Sequence, residues 1–291
     1  MQSVSAGFTA QAQANVHRDA CKFEVRWNGS TWVDESVHLL SHDGECRLTE
    51  TGTGELSPLG TTDRLTVLLR NYQWRFSPLH VGGDDSIRTY FDGAAGMHGI
   101  HARLSQGFAT TNTQITAFAD AGGGLLRVTS AGHGLVVNDA VRLQGTGIYN
   151  GRYTVAAKTT NTFDVSGTYS SNTARGQAQK LEFVRVFTGV IYGHQEDGMA
   201  KTVNLDVRDL GLLYLQERAS TALYEAQRAD EWISTLATLA GIAAPTVDTG
   251  PHRVPYAWLD DESILEDMQV MAAAAGGRLY FDHSGTLHYE E

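Results

Sequence analysis

The chain has 291 residues, of which 42% are hydrophobic and 19% are charged, so it can bury a sizeable core and lacks the composition of a disordered protein. No run approaches the roughly 18 apolar residues of a spanning helix, and the first residues lack an export signal, so we expect neither membrane insertion nor signal-directed export. The formal charge of −11 argues against nucleic-acid wrapping as a main task, because phosphate binding relies on Lys and Arg.

The cysteines and glycines narrow the fold class. Cys21 and Cys46 are the two cysteines, and one potential pair in so long a chain is not the disulfide framework of a small secreted protein. We expect both to be reduced core residues. Thirty-one glycines beside five prolines, with many Thr, Val and Tyr, are typical of short strands joined by glycine turns. Most of the chain is therefore predicted to be β.

The first hundred or so residues predict an antiparallel β-domain. Between Cys21 and Trp27, apolar and charged residues alternate with the period of a half-buried strand. Asn28-Gly29 then forms a strong hairpin signal, because both residues tolerate the positive φ of a tight turn. Further strands are predicted at four segments, residues 44–51, 63–76, 86–93 and 97–108.

The composition changes at about Thr110, where a stretch begins that has only Asp120 and Asp139 as acidic residues before Asp164. Short strands separated by Gly, Asn and Asp turns indicate a small sandwich or barrel. These strands are predicted at residues 114–119, 125–130, 139–145, 151–159 and 161–166.

Two long alternating strands follow around a turn at residues 195–200, and the outer β-domain resumes with them. The last seventy residues then change to helical spacing. One helix is predicted from Asp230, its candidate cap, to Gly241, and a second begins at Asp261 or Ser263. A hairpin closes the chain.

The predicted fold is mainly β with a C-terminal α+β unit of two helices and a β-hairpin. An antiparallel, barrel-like β-domain is interrupted by a small all-β insertion, which a loop can accept because loop-closure entropy grows only slowly with length. The predicted domains are residues 1–112 and 178–222 for the interrupted β-domain, 113–177 for the insertion and 223–291 for the α+β unit.

A pair of histidines and two carboxylate clusters are the candidates for metal binding or catalysis. His98 and His101 have a spacing that some metal sites use, but Gly99 discourages a helix and no neighbouring ligands complete a set, so we expect no metal. Carboxylate clusters could form acid and base pairs for glycoside cleavage. A polar turn and a helix start are the simpler interpretations of these clusters, Asp84-Asp85 and Asp260-Asp261-Glu262.

Other catalytic motifs are missing. No nucleophile elbow, phosphate-binding loop, Cys-x-x-Cys pair or His-Glu-x-x-His motif occurs, and Gly145-x-Gly147 has Asn150 where a dinucleotide loop needs a glycine, which comes one residue late at Gly151. We therefore predict that the chain is not an enzyme and has no catalytic residues and no cofactor. Basic and aromatic residues interleave at Arg70, Tyr72, Trp74 and Arg75, as in some nucleic-acid binders, but packing or a subunit interface is the preferred interpretation.

Residues 185–242 resemble the phage tail hub family, in which a Gly-hydrophobic-Ile strand, a turn, a second strand and an Arg-Asp-Leu segment recur. Residues 254–291 are similar to the helix and hairpin unit of the same hubs. The matching points are Gly189 to Ile191, Arg208 to Leu210, Val254 to Trp258, Gly276-Gly277-Arg278 and Asp282 to Gly285.

The insertion resembles a separate phage-associated domain that carries the name of the FCCH domain of ubiquitin-activating enzyme, although no ubiquitin chemistry follows from the likeness. The shared pattern consists of Ala121-Gly122, Ser130 to Leu135, Gly145 to Gly151 and Thr162-Phe163-Asp164.

The resemblance implies a structural virion protein at the baseplate or tail tip, made in the bacterial cytoplasm. Such hubs are homotrimers whose paired barrel-like domains form a pseudo-sixfold ring, which adapts hexameric tail rings to a threefold tip. The implied partners are the distal tail ring protein, the tape measure protein and a tail fibre or spike, with DNA only as passing cargo in the lumen.

Two alternatives stay open. In the first, the chain is an adhesin whose insertion binds a host-surface glycan through exposed Thr, Asn and Ser turns. In the second, it is a tail-associated hydrolase of cell wall or polysaccharide. Loss of activity on replacing an acidic residue of the two clusters would support the hydrolase, the residues being Asp84, Asp85, Asp261 and Glu262.

Overall fold

The computed structural model describes residues 5–13, 19–27, 29–45, 64–77, 100–173, 175–215 and 217–291. Several sequence predictions lie wholly or partly outside these residues, namely those on Asn28, Cys46, Asp84, Asp85 and His98 and the strands at 44–51, 86–93 and 97–108. The chain divides into two compact units. The first contains Met1–Lys22 and Ser105–Val184, and the second contains Phe23–Leu104 and Arg185–Glu291.

The strands, in chain order, are β1 (Asp19–Arg26), β2 (Val33–Asp34), β3 (Leu39–Glu45), β4 (Arg64–Arg70), β5 (His101–Ala109), β6 (Thr113–Gln114), β7 (Ala117–Gly122), β8 (Leu125–Thr129), β9 (Ala140–Gln144), β10 (Gly151–Lys158), β11 (Thr162–Ser166), β12 (Gln177–Asp197), β13 (Thr202–Asp209), β14 (Arg218–Ala219), β15 (Tyr224–Arg228), β16 (Thr246–Val247), β17 (Arg253–Ala257), β18 (Glu262–Ser263), β19 (Arg278–Phe281) and β20 (Leu287–Glu290). The helices are α1 (Ala6–Ala12), α2 (Gly211–Leu215), α3 (Ala229–Leu239) and α4 (Ile264–Ala274), and Tyr72–Trp74 form one 3-10 turn.

This arrangement confirms the predicted class, because strands dominate, most pairs are antiparallel, and two helices and a hairpin close the chain. Within the described strands, however, the hydrogen-bonded order is open, and no closed barrel is present. No described helix is long and apolar enough to span a membrane.

In the first unit, the predicted strands of the insertion are present as β7 to β11, within a few residues of their expected positions. They pair in the order β9-β10-β11-β8-β7, and the start of β12 pairs with β9. Apolar and polar residues alternate along these strands. On β8, Leu126 and Val128 are buried, while Arg127 between them points out. Arg127 donates to Asp164 on β11, from Nε to Oδ1 at 2.8 Å and from Nη2 to Oδ2 at 2.9 Å. Cys21, on β1, is half-buried and so only partly a core residue.

In the second unit, β12 and β13 form the predicted long hairpin, and β4 and β3 extend it in the order β12-β13-β4-β3. The predicted strand over 63–76 is wrong in its second half. The strand ends at Arg70 because buried Asn71 bonds locally: its side chain accepts from the Phe76 amide at 2.9 Å and donates to Ser77 at 2.8 Å. Such local bonds compete with a strand ladder.

The helices end near the predicted glycines but begin differently at α3. Asp230 is not the cap: the cap position is Arg228, whose backbone N–H donates to Glu231 at 3.1 Å. Asp230 lies in the first turn and pairs with the Arg228 guanidinium at 2.7 Å. At α4, Ser263 and not Asp261 is the cap, accepting from the Glu266 amide at 3.4 Å.

Both helices pack with β15 to β20 around an apolar core. Its fully buried members include Trp232, Ile233, Leu236, Met268, Leu287 and Tyr289.

Gly189, the first matching point in the segment that resembles the hub family, is required by close packing on β13. A Cβ at this position would lie 2.0 Å from the Arg208 carbonyl oxygen. We expect Gly189→Ala to lower the free energy of unfolding by about 1–3 kcal/mol, because the backbone must shift to admit the methyl group. Urea unfolding followed by circular dichroism would measure this loss.

The matched control is Gly198→Ala in the hairpin turn, where an added Cβ would lie 3.7 Å from the Trp74 ring, an ordinary contact. Equal urea midpoints for the two alanine variants would contradict the packing argument.

Candidate assembly surface

The structure does not bring the sequence candidates for chemistry into a catalytic arrangement. His101 begins β5 as a half-buried residue. Among the described residues, no group of three or more His, Cys, Asp or Glu side chains could hold a metal ion. The Gly145 segment is a turn between β9 and β10, as predicted, with φ of 74° at Gly145 and 79° at Gly147. The Asn150 side chain closes this turn by accepting from the Thr146 amide at 2.9 Å.

The carboxylates at 260–262 lie on the surface of the second unit. The Asp261 side chain is 80% exposed and accepts from the Arg218 Nε at 3.3 Å. Glu262 is exposed in β18, opposite Ala219. A general acid that works near neutral pH usually needs burial to raise its pKa. The exposure of these groups therefore does not favour a hydrolytic site.

The interleaved basic and aromatic residues at the end of β4 and in the turn after it contact neighbouring side chains of the second unit. The Arg70 guanidinium stacks over the Tyr72 ring, with 5.1 Å between the Arg70 Cζ and the ring centroid. Arg75 donates from Nη2 to Glu35 Oε1 at 2.7 Å, and Glu35 also accepts from Trp27 Nε1 at 2.9 Å. Because Arg75 neutralises a buried carboxylate, it is not available for a phosphate group.

A different cluster, which the sequence interpretation did not single out, lies on one face of β1, β2 and β5 in the second unit. We call it the arginine–tryptophan face, and its members are Glu24, Arg26, Trp32, Arg103 and Arg185. Val25 lies opposite Val33, so the same register places Arg26 opposite Trp32. Buried apolar residues of the same strands face the other way, including Phe23, Val25, Ala102 and Leu104.

Two arginine guanidiniums lie close to the Trp32 ring. The Cζ of Arg103 lies 4.2 Å from the ring centroid and that of Arg26 lies 5.5 Å from it. Arg103 also donates from Nε to Glu24 Oε2 at 2.7 Å, which fixes the guanidinium against the ring. Cation–π contacts of this kind contribute about 0.5–2 kcal/mol each.

Arg185, on β12, adds a third guanidinium to this face. Burial lowers the pKa of Arg185, and the positive charge of Arg103 lowers it further, while Glu24 and Asp282 act in the opposite direction. A guanidinium keeps its charge in spite of such a shift. The face therefore carries three guanidiniums and the Glu24 carboxylate together with an aromatic ring.

Arg26 places on this face a donor that has no acceptor within the described chain. The Nε of Arg26 is buried and makes no hydrogen bond there. A buried donor without a partner costs about 1–3 kcal/mol. Arg and Trp are also the residue types most enriched among the dominant contacts of protein interfaces. The arginine–tryptophan face thus has the chemistry of a protein-binding surface.

Sequence reasoning missed this face because its members come from distant segments. The sequence did contain one signal for it. Lys22, Glu24 and Arg26 alternate with apolar residues in β1, which indicates a strand with one charged face.

Comparisons with known proteins give structural matches only. No protein-family model matches the sequence, and no curated protein matches it. Solved structures with a similar backbone include the tail protein from Neisseria meningitidis MC58, at 10% identity and a TM-score of 0.41, with 93% of this chain and 50% of that chain covered. Another is the 43 kDa tail protein of prophage MuSo2 from Shewanella oneidensis, at 16% identity and a TM-score of 0.32, with 65% and 52% covered.

This chain spans about half the length of each of these two proteins. Identities and TM-scores as low as these do not by themselves assign a fold or an activity. The chain is similar in part to solved tail proteins, one of which comes from a prophage.

Proposed function

We propose that this chain is a structural subunit of a phage tail that forms the hub of the baseplate or tail tip and joins the tail tube to a fibre or spike. It acts by assembly and not by catalysis. Its partners are two further copies of itself, the distal tail ring protein, the tape measure protein and the fibre or spike. DNA passes through the lumen without stable binding.

The observation that carries this proposal is the arginine–tryptophan face. Two guanidiniums lie close to the Trp32 ring on a sheet face, and within the described residues the buried Nε of Arg26 has no acceptor. Contact with a second subunit can supply that acceptor and cover the ring. The resemblance of residues 185–242 and 254–291 to tail hubs supports the same function.

The mass of the purified chain tests the proposal. Light scattering should give three times 31.6 kDa, and negative-stain images should show a ring. Trp32→Ala and Arg26→Ala should each shift the protein toward monomer, because either change removes a central contact of the interface. The control is Arg70→Ala, which removes an exposed arginine stacked on Tyr72 and should leave the mass unchanged.

A chain that stays monomeric alone and with the distal tail ring protein would contradict the hub proposal. A trimer whose mass is unaffected by Trp32→Ala and Arg26→Ala would keep the hub function and reject this face as its subunit contact.

A further inference from the structure

A two-stranded ribbon in the C-terminal part of the chain presents a second surface. The pairs β14–β18 and β15–β17 share one register, with Arg218 opposite Ser263 in the first pair and Tyr224 opposite Ala257 in the second. Between the pairs, the Thr221 amide donates to the Leu259 carbonyl at 3.0 Å. Within the described residues, this ribbon has two strands and both of its outer edges are open.

The inner face of the ribbon belongs to the core. Ala257 and Leu259 are buried, and the Tyr224 ring lies 5.3 Å from that of Trp232 on α3. Because side chains alternate along a strand, the neighbouring positions point away from the core.

These outward positions carry large apolar side chains, which we call the ribbon aromatic face: Leu223, Tyr256 and Trp258. They are exposed by 57%, 58% and 56%. Leu223 lies opposite Trp258 in the continued register of the ribbon, and Tyr256 lies two residues before Trp258. Single exposed apolar residues are ordinary, but three adjacent ones on one strand pair indicate a binding surface.

Carboxylates border this face. Glu225 lies opposite Tyr256, and Asp260 follows Trp258 by two positions, and both are exposed. The surrounding residues 223–291 contain twelve acidic side chains and three arginines, so they carry most of the chain's formal charge of −11. Each of these arginines has a partner within the chain: Arg228 pairs with Asp230, Arg278 pairs with Glu290, and Arg253 donates to the Ala226 carbonyl.

We propose that the ribbon aromatic face binds an extended, arginine-bearing segment of another protein. A guanidinium stacks on the Trp258 or Tyr256 ring and bonds to Glu225 or Asp260, since aromatic rings and carboxylates both attract a cation. The backbone of the segment pairs along an open edge of the ribbon. A symmetric contact with a second copy would bring two acidic borders together, which disfavours that occupant.

The test uses the full chain and a fluorescein-labelled peptide of alternating arginine and threonine, with the glutamate–threonine peptide as the negative probe. Fluorescence anisotropy gives the dissociation constant at physiological salt. We expect the arginine peptide to bind, and both Tyr256→Ser and Trp258→Ser to weaken it about tenfold or more. Both substitutions leave the net charge of the chain unchanged.

The matched control is Val270→Ser on α4, which removes an apolar side chain of similar exposure, 57%, in the same acidic region. It should change the dissociation constant less than about twofold. Glu225→Gln should weaken the binding of the arginine peptide. It should not cause the glutamate peptide to bind.

Three results would overturn the proposal. The arginine peptide could fail to bind, or the aromatic variants could bind it as the wild type does, which would mean attraction by net charge alone. Light scattering could instead show self-association that Trp258→Ser abolishes, and the occupant would then be a second copy. The first two results leave the proposed hub function untouched. The third would assign the contact between copies to the ribbon aromatic face and not to the arginine–tryptophan face, and Trp32→Ala distinguishes the two faces.

Discussion

Replacing Trp232 by alanine should lower the free energy of unfolding by about 3–5 kcal/mol, the usual cost of removing a fully buried tryptophan. Trp232 is 1% exposed at the centre of the C-terminal core. Its Nε1–H donates to Asp267 Oδ2 at 2.7 Å. Burial raises the pKa of Asp267, and the Trp232 hydrogen bond opposes that rise, so the substitution also removes a partner of this carboxylate.

Trp258→Ala is the matched control, because it deletes the same side chain where 56% of the residue is exposed. Trp258→Ala should lower the free energy of unfolding by no more than about 0.5 kcal/mol. Urea unfolding followed by far-ultraviolet circular dichroism measures both variants without relying on tryptophan emission. A similar loss for the two would mean that Trp232 does not organise the core.

Replacing Glu35 by alanine should lower the free energy of unfolding by about 3 kcal/mol or more, because a buried ion pair loses one partner. The Glu35 side chain is 1% exposed, and it binds the Arg75 guanidinium and the Trp27 indole N–H. Without the carboxylate, these donors lose their acceptor. The 3-10 turn that follows β4 would also lose its link to the segment after β2.

The control for Glu35 is Asp261→Asn, which removes the charge of the exposed Arg218–Asp261 pair, where the side chains are 57% and 80% exposed. Asparagine tolerates the positive φ of 54° at this position, so the substitution adds no backbone strain. Exposed pairs contribute about 0–1 kcal/mol, so this variant should unfold nearly as the wild type does. Thermal melts of both variants at one pH compare the two pairs directly. An Asp261 variant that is destabilised as much as the Glu35 variant would reverse the expected order.

Local patterns were sufficient for most secondary structure. Alternation over residues 125–130 predicted β8 because Leu126 and Val128 need one buried face, and helical spacing around Trp232 predicted α3. Gly241 has the left-handed φ of 70° that a residue after a helix favours, so a single residue marked that end correctly. These signals depend on neighbours within one turn or one strand.

Choices that depend on hydrogen bonds between several side chains could not be made from such patterns. β4 ends before Asn71 because the Asn71 side chain forms hydrogen bonds with Phe76 and Ser77. Arg228 is the cap residue of α3 because its backbone N–H donates to the Glu231 side chain. At each position the local sequence was equally compatible with another structure, namely a strand that continues past Arg70 and a helix capped by Asp230. The geometry of the folded segment decided between them.

The sequence by itself determined the β-rich class, the strands of the insertion, the two C-terminal helices and their hairpin, because each follows from periodic burial over a few residues. Only the tertiary structure assembled the arginine–tryptophan face and the ribbon aromatic face. Arg26, Trp32 and Arg103 become neighbours through the pairing of separate strands, and Leu223 meets Trp258 in the same way. Strand pairing joins residues far apart in the chain, and no local pattern specifies which strands pair.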